Sequence, residues 1–421
     1  MSTENSDCES NTSDLSDLSV SSDENLAQTN NLELTGEILN NYNIICELGR
    51  GASSIVWLVY NITNDKFYAM KVQDPSEYKA GVSEIQFVQK LPKNPNVFNN
   101  IIEHFTEIRN KNKYLCSVWE LHCSNLDSLL RKGQFKDGFP INMVNSIMKQ
   151  LVDALCILHR KFKVFHGDIK TDNIFVKGIN DKDMYIIDKY KSMNFFDLYS
   201  KAKKDYWNDK GKSLERINDM KREDKLMIRK IVHKNITKKV LDLYETSGVS
   251  KYSINNMYLD DIKISLGDFG THCSEDNYYE EPFGTRYYMA PEIILMGKCS
   301  LPVDIWALGC TFYELITGQL LFDPEKDSHY SRDYYHLQLI SETCGHLSHK
   351  CIKKTKYYKK FFTTDYMLID YKEPEQNRLE RKMQQVHCGD KERIIFLLKG
   401  MLETDPSKRL TIETIAKMQF F

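Results

Sequence analysis

Residues 166–173 read His-Gly-Asp-Ile-Lys-Thr-Asp-Asn, and this stretch decides how the rest of the chain is interpreted. It places a carboxylate at Asp168, an ammonium group at Lys170 and an amide at Asn173 within one short loop. Transfer of a phosphoryl group needs a carboxylate that accepts a hydroxyl proton, a cation beside the moving group and an oxygen ligand for a metal ion. These three side chains suit the three tasks. The alternative is a polar turn after a strand, so the interpretation depends on the rest of the chain.

A glycine-rich turn lies upstream between two strand patterns. Residues 42–48 and 55–61 have the composition of strands, and Gly-Arg-Gly-Ala-Ser-Ser at residues 49–54 separates them. Glycines at such a turn let the backbone approach phosphates closely and present N–H groups to them. A simple β-turn explains the same residues, so this motif is weak evidence when taken alone.

A lysine lies on the next predicted strand. Residues 68–72 read Tyr-Ala-Met-Lys-Val, and their alternation points Lys71 to the same side as Ala69. A lysine that faces inward without a partner is costly, so we expect a helix to bring it a carboxylate. Glu84 is the first candidate and Glu77 is the second.

The composition of the 421 residues is that of a globular protein, with 41% apolar and 28% charged residues. A net charge of -2 argues neither for nor against nucleic acid. The 11 cysteines form no Cys-x-x-Cys pair, which predicts free thiols in a reducing compartment and no zinc site. We find neither an apolar leader nor an apolar run long enough to cross a bilayer. We therefore expect an intracellular protein, cytoplasmic or nuclear or both, without a membrane partner.

Two segments depart from the globular pattern. Residues 1–35 are rich in Ser, Asn, Asp and Glu and contain no Lys or Arg, which predicts a disordered acidic tail. Phosphorylation of this tail at Ser6 or Ser21 is the alternative role. Residues 178–260 form a long insert that is basic over residues 189–239. We expect solvated helices there, with a regulatory or targeting role as the alternative, including contact with acidic partners or nucleic acid.

The octet at residues 166–173 matches the catalytic loop of the protein kinases, H-R-D-L-x-x-x-N, with Gly167 in place of the arginine. Other kinase motifs occur in the kinase order: the glycine-rich turn, Ala-Met-Lys-Val, Asp-Phe-Gly at residues 268–270 and Met-Ala-Pro-Glu at residues 289–292. The chain from residue 42 to residue 421 therefore resembles the eukaryotic-type protein kinases. Residues 184–188, Met-Tyr-Ile-Ile-Asp, mimic the strand before Asp-Phe-Gly but lack the Phe-Gly, so we treat them as a decoy.

This resemblance implies an α+β fold of two lobes, with a β-rich N-lobe at about residues 42–121 and a mostly helical C-lobe at about residues 122–421, which the insert interrupts. It implies ATP and Mg²⁺ as cofactors. Asp168 and Lys170 would be catalytic, and Asn173 and Asp268 would bind the metal. The residues implied to bind ATP are Leu48, Gly49, Gly51, Ser54, Val56, Ala69, Lys71, Glu84, and Glu120 and His122 of the hinge between the lobes.

Lys170 and Thr285 fit the serine/threonine pattern of the family rather than the tyrosine pattern, and Arg409 is expected to pair with Glu292. Within the family the chain looks most like the SR-protein kinases. That subfamily phosphorylates serines in Arg/Ser repeats and grips the arginines through acidic residues of the large lobe. The resemblance rests on the insert and on Ser-Ile-Val-Trp-Leu at residues 54–58, Leu-Phe-Asp-Pro at 321–324, Tyr-Ser-Arg-Asp at 330–333 and Lys-Lys-Phe-Phe-Thr at 359–363.

Several departures from the subfamily pattern weaken the inference that the substrate is an Arg/Ser repeat. Met289 replaces an arginine of the wider group, residue 269 is Phe rather than Leu, and Tyr335 replaces one of two acidic groove positions while Glu342 keeps the other. Protein substrates with Ser or Thr are therefore the firmer expectation, and basic or Arg-rich ones the weaker. We expect a monomer. Because Gly167 offers no charge to a phosphate, we also expect activity without activation-loop phosphorylation, with Arg286 as the alternative receiver.

Two other functions compete with that of a kinase. A pseudokinase scaffold predicts the loss of Lys71, Asp168, Asn173 or Asp268, and all four are present. A small-molecule phosphotransferase could share the loop from Asp168 to Asn173. The protein-substrate elements Met-Ala-Pro-Glu and Asp-Ile-Trp-Ala-Leu-Gly, at residues 304–309, argue against that alternative.

Overall fold

The fold is taken from a computed structural model, which describes residues 32–93, 95–211, 220–274, 281–325, 329–371, 378–384, 390–418 and 420–421. The acidic tail predicted for residues 1–35 thus lies outside the described residues, apart from its last four. Within these, Leu34 is fully buried in the same apolar cluster as Tyr42 and Trp57. The predicted tail boundary is therefore too late, because this leucine finds a place in the core.

The N-lobe is a six-stranded antiparallel sheet in the order β1-β2-β3-β4-β6-β5. One helix, α1 (Tyr78–Val88), lies in sequence between β4 and β5 and packs on β6. The two strands predicted on either side of the glycine-rich turn are confirmed, since they lie within β2 and β3. The strands are β1 (Ile38–Leu39), β2 (Tyr42–Arg50), β3 (Ser54–Asn61), β4 (Lys66–Gln73), β5 (Ile101–Arg109) and β6 (Asn112–Trp119).

The C-lobe is mostly helical and holds the largest apolar core of the described chain. Its first elements are β7 (His122–Asn125), α2 (Leu126–Arg131), α3 (Ile141–Cys156), β8 (Val164–Phe165) and β9 (Ile174–Lys177). The insert contributes α4 (Asp181–Ser192), α5 (Phe195–Asp209), α6 (Arg222–Glu245) and α7 (Met257–Asp260). There follow β10 (Ile264–Leu266), β11 (Cys273–Ser274), α8 (Pro291–Ile294), α9 (Pro302–Thr317), α10 (Arg332–Cys344), α11 (His349–Ile352), α12 (Tyr358–Phe361), α13 (Arg378–Gln384), α14 (Lys391–Met401) and α15 (Ile412–Lys417).

Helix α3 is the centre of the C-lobe. Together with the π-helical turn Ile157–Phe162 that extends it, it is the one described helix long and apolar enough to cross a membrane. Its residues Ile147, Leu151 and Leu155 are fully buried, and it packs against α9 and α15. These contacts make it a core helix.

The insert packs against the N-lobe, which corrects the expectation of solvated helices. Helix α6 places a buried apolar residue at every fourth position: Ile228, Val232, Ile236 and Val240. They form one cluster with residues of β2 and β3, among them Ile45 and Leu58. Lysines surround this stripe in the sequence and give the helix its polar composition, which explains why the packed face was missed. Residues 184–188 lie in helix α4, so they do not form a strand before a metal ligand.

A buried polar network fixes the position of the insert on the sheet. The Asn43 side chain donates hydrogen bonds to the Tyr190 hydroxyl at 3.1 Å and to the Thr237 hydroxyl at 2.9 Å. The Tyr190 oxygen in turn lies 2.8 Å from Nδ1 of His233. Burial lowers the pKa of His233 to about 4, so the ring is neutral at pH 7 and Nδ1 can accept the Tyr190 proton. The network joins one strand to two insert helices.

We predict that the insert contributes to the stability of the N-lobe. Ile236→Ala should lower the free energy of unfolding by about 2–5 kcal/mol, because it removes a buried side chain and leaves a cavity. Leu243→Ala, on the exposed side of the same helix, should change it by less than about 1 kcal/mol. Chemical denaturation of both variants measures the difference, and equal effects would contradict the packing described above.

Candidate active site

An ion pair between Lys71 and Glu84 links the sheet to helix α1. Strand β4 places Lys71 opposite Val56 of β3, and α1 brings Glu84 to it, with Nζ and Oε2 3.2 Å apart. Burial acts to lower the pKa of Lys71, but the charges of Glu84 and Asp268 outweigh it and raise the pKa above its ordinary value. Lys71 is therefore a cation at pH 7. The first predicted partner, Glu84, is confirmed, while Glu77 lies in a 3-10 turn before the helix.

The second oxygen of Glu84 reaches the segment that carries the predicted metal ligand. Glu84 Oε1 accepts a hydrogen bond of 3.2 Å from the backbone N–H of Phe269. The neighbouring Asp268 has a φ of 59°, a left-handed conformation that is uncommon outside glycine. Since its charge acts on Lys71, the aspartate and the lysine share one site. One glutamate thus connects the lysine with the Asp-Phe-Gly segment.

A buried aspartate of helix α9 holds the catalytic loop. Asp304 accepts hydrogen bonds from the backbone N–H groups of His166, at 2.7 Å, and Gly167, at 2.9 Å. His159 Nε2 lies 2.9 Å from the same carboxylate. On the other side of the loop, the His166 ring contacts the Gly267 carbonyl and the Phe269 ring. Both ends of the loop's first turn are therefore fixed by buried groups.

The catalytic loop presents Asp168 in a tight polar cluster. Its Oδ1 accepts from the Thr285 N–H at 2.8 Å, and its Oδ2 lies 3.0 Å from Lys170 Nζ. Asn173 Nδ2 donates to Asp168 Oδ2 at 3.0 Å and to its carbonyl at 2.8 Å. Burial acts to raise the pKa of Asp168, but Lys170 and the Thr285 hydrogen bond lower it below its ordinary value. The carboxylate is ionised at pH 7 and can accept a proton.

Asn173 and Asp268 are the residues that would supply oxygen ligands to a divalent metal ion. The N–H of Gly267, the residue before Asp268, donates to the Asn173 carbonyl at 3.0 Å, so the two segments lie side by side. Because Asn173 uses its Nδ2 on Asp168, its amide oxygen is left as a ligand. Among the described residues no group of three or more His, Cys, Asp or Glu has metal-binding spacing. A metal held by one carboxylate, one amide and phosphate oxygens needs no such group.

The glycine-rich turn joins β2 to β3 at the place where we predict that ATP binds. A Cβ at Gly49 would have nothing within 4 Å, so the turn leaves open space for phosphates. The Gly51 N–H bonds to the Ser54 carbonyl at 2.8 Å and closes the turn. Ala69 pairs with Leu58 of β3 and with Trp119 of β6. Leu48 is half-buried against the cluster that the insert forms with the sheet.

The hinge between the lobes carries its own hydrogen bond. His122 Nδ1 lies 3.1 Å from the Glu120 carbonyl. Burial lowers the pKa of His122 to about 4, so the neutral ring donates this bond from Nδ1. The Glu120 carbonyl keeps a second lone pair for an adenine amino group. Lys71, Asp268, Asn173 and the open turn fit ATP with a divalent metal.

The activation segment explains the glycine at position 167. Gly167 has a φ of 81°, and a Cβ there would lie 2.9 Å from the Thr271 carbonyl oxygen. An arginine is therefore excluded in this conformation. The alternative phosphate receiver, Arg286, donates to Asp333 at 2.5 Å. Of the loop residues, Tyr278 and Tyr279 lie outside the described residues, and independence from phosphorylation stays a prediction.

The structure changes the set of acids available to a substrate. Glu342 is buried and accepts a hydrogen bond from Gln338 at 3.1 Å. Asp333 is paired with Arg286, whereas Asp323 is exposed. Glu342 thus faces the interior of the lobe, whereas Asp323 is accessible to a substrate.

The sequence did not predict the roles of two positioning residues, Asp304 and Thr285, but it did predict one buried ion pair. Asp304 was considered only as part of Asp-Ile-Trp-Ala-Leu-Gly at residues 304–309, although a single Asp in a run of apolar residues is the available signal. The N–H of Thr285 was also not foreseen as a donor to Asp168. The expected pair of Arg409 with Glu292 is confirmed as a buried two-point contact of 2.7 and 3.0 Å.

Comparison with known proteins agrees with this geometry. The family described as "Protein kinase domain" matches residues 42–193 and 253–421, which leaves residues 194–252 of the insert unmatched. The chain is 27% identical to a protein of Acanthamoeba polyphaga mimivirus whose name assigns it provisionally to the serine/threonine-protein kinases, over 89% of this chain and 86% of that protein. It is 28% identical to the serine/threonine-protein kinase SRPK of Physarum polycephalum, over 78% of this chain and 73% of that protein.

A third relative is similar over most of this chain. The serine/threonine-protein kinase spk-1 of Caenorhabditis elegans is 23% identical over 91% of this chain and 49% of that protein. The family match covers most of the chain, on both sides of the insert, and includes all the site residues described above. The chain therefore belongs to the protein kinase family, as a serine/threonine kinase that is a divergent relative of the SR-protein kinases.

Proposed function

We propose that this kinase transfers the γ-phosphoryl group of ATP, bound with Mg²⁺, to serine and threonine hydroxyls of protein substrates. The observation that carries the proposal is the ionised Asp168, held between Lys170, Thr285 and Asn173. In this position the carboxylate can take the proton of a substrate hydroxyl. Mg²⁺, when bound, would neutralise the phosphate charge that develops during transfer.

The remaining site residues orient and neutralise the reacting groups. Lys71, fixed by Glu84, would bind phosphate oxygens of ATP, and Lys170 would neutralise charge on the group in transfer. Lys170 Nζ also donates a hydrogen bond of 2.6 Å to the Thr285 hydroxyl, which connects the catalytic loop to the segment before Met-Ala-Pro-Glu. This link supports a protein hydroxyl, rather than a small molecule, as the acceptor.

We further propose a preference for serines flanked by arginine or lysine. Asp323 is exposed, and Asp333 could exchange its partner Arg286 for a substrate arginine, since both are charge-assisted pairs. The relative from Physarum polycephalum, named SRPK, supports the same direction. Because Glu342 is buried, we expect this preference to be weaker than a requirement for Arg/Ser repeats.

The setting of the enzyme is also a proposal. The cysteines that the structure describes are all free thiols, and most of them are buried. Free thiols support an intracellular, reducing compartment. We propose that the kinase acts there as a monomer, in the cytoplasm, the nucleus or both.

A peptide array with purified protein, ATP and Mg²⁺ tests the function. We expect phosphorylation of serine and threonine peptides, strongest with basic flanks, and a loss of about 10²-fold or more in Asp168→Asn, which lacks the proton acceptor. Asp172→Asn, a change of the same kind in the same loop, is the matched control and should keep activity within about tenfold. Equal activity of wild type and Asp168→Asn would refute the proposal. If both are inactive, the protein is a scaffold without catalysis; if both are active, another residue accepts the proton. A strict need for proline or acids around the serine would refute the basic preference alone.

The pH dependence of the rate provides a second prediction. Because the pKa of Asp168 is lowered, the base stays ionised as the pH falls, and kcat/KM should show no loss from this group above about pH 5. Lys170→Met removes the nearby positive charge, so the Asp168 pKa should rise and the acid limb should move to higher pH. Lys161→Met, an exposed lysine before the same loop, should leave the profile unchanged. Superimposable profiles for Lys170→Met and wild type would contradict the assignment.

A further inference from the structure

Helix α6 presents a row of lysines on the side that does not pack on the sheet. Lys230, Lys234 and Lys238 follow one another at every fourth position, and all three are exposed. Among the described residues, none of the three has a carboxylate within ion-pair distance; the pair on this helix joins Lys210 to Asp224. Like charges at this spacing repel each other. We call these three residues the lysine row.

The charge of α6 as a whole is also unbalanced. Its sequence contains seven Lys or Arg residues against four Asp or Glu residues. One of the four acids, Asp224, is buried and paired with Lys210 from before the helix. Helix α6 therefore carries a net positive charge that an acidic partner would stabilise.

The N-terminal segment of the chain enters the fold beside this surface. Gly36 has a φ of 78°, and a Cβ there would lie 3.0 Å from Cγ of Lys234, the middle residue of the row. Leu34, two residues earlier, is fully buried in the N-lobe core. Because Leu34 is fixed in the core, residues 1–31 are attached to the fold close to the lysine row.

Residues 1–31 carry a negative charge, opposite to that of the lysine row. Residues 1–31 contain seven Asp or Glu residues, no Lys or Arg, and eight serines. Asp23 and Glu24 are nine and eight residues from Leu32, a contour length of about 30 Å at most. The row spans about 12 Å along the helix, so these acids can reach all of it. A short tether gives an effective concentration of the order of millimolar, which favours weak contacts.

We propose that the acidic segment of residues 1–31 docks on the lysine row of α6. The contact joins two parts of the chain that the catalytic machinery does not use, and it does not depend on the proposed substrate. Phosphorylation of a serine in the segment would add about -1.5 to -2 charges and strengthen the contact. The docked segment would also shield the lysines from nucleic acid.

Nuclear magnetic resonance of the full ¹⁵N-labelled chain tests the proposal. We expect the backbone signals around Asp14, Asp17, Asp23 and Glu24 to be broadened at about 0.03 M salt and to sharpen at about 0.5 M salt, where the Debye length is about fourfold shorter. The variant Lys230→Glu/Lys234→Glu/Lys238→Glu should sharpen them at low salt. The matched control Lys350→Glu/Lys353→Glu/Lys354→Glu, with the same change of charge on exposed lysines of the C-lobe, should leave them broadened.

A change on the tail side guards against a folding defect in the helix variant. Asp14→Asn/Asp17→Asn/Asp23→Asn/Glu24→Gln alters no residue of the described fold and should release the segment in the same way. Sharp tail signals that are identical in wild type and all variants would overturn the proposal. If the tail is sharp and the wild type binds poly-uridine RNA with an affinity that the lysine-row variant loses, the surface serves nucleic acid and the proposal is wrong.

Discussion

The carboxylate of Glu84 makes two hydrogen bonds on which the rest of the active site depends. One oxygen holds Lys71 of the sheet at 3.2 Å, and the other holds the backbone of Phe269 at 3.2 Å. Its side chain is almost fully buried, so neither contact is replaced by water when it breaks. An uncompensated charge left in such a place costs about 3–5 kcal/mol. The helix, the sheet and the Asp-Phe-Gly segment are therefore positioned together.

A second buried carboxylate does the corresponding work in the C-lobe. Asp304 accepts from two successive backbone N–H groups of the catalytic loop, and this fixes the turn that presents Asp168. The base itself contacts Lys170, Thr285 and Asn173. The rings of His166 and Phe269 contact each other between Asp304 and Glu84 in a tilted arrangement, with centroids 4.8 Å apart. Each lobe thus supplies one buried acid, and the two acids hold the reacting groups between them.

The sequence predicted the residues that motifs mark and missed those that only packing selects. The partner of Lys71 was predicted because a buried cation requires a carboxylate, and the pair of Arg409 with Glu292 was predicted from the family resemblance. The insert was predicted as solvated because lysines dominate its composition, while the stripe from Ile228 to Val240 that binds it to the sheet is narrow. The burial of Glu342 could not be foreseen, since one acidic residue in a helix has no sequence signal for the direction it faces. Gly167 was recognised as a departure, but its cause, the Thr271 carbonyl, is a tertiary contact.

The central claim is that Glu84, and not Glu77, assembles the site through its two hydrogen bonds. Steady-state kinetics of Glu84→Gln and Glu77→Gln on one basic serine peptide test it most directly. The amide keeps the size of the side chain but removes the charge that pairs with Lys71. The account predicts a fall of at least about tenfold in kcat/KM for Glu84→Gln and a change of less than about twofold for Glu77→Gln. Equal kcat/KM for Glu84→Gln and the wild type would contradict it.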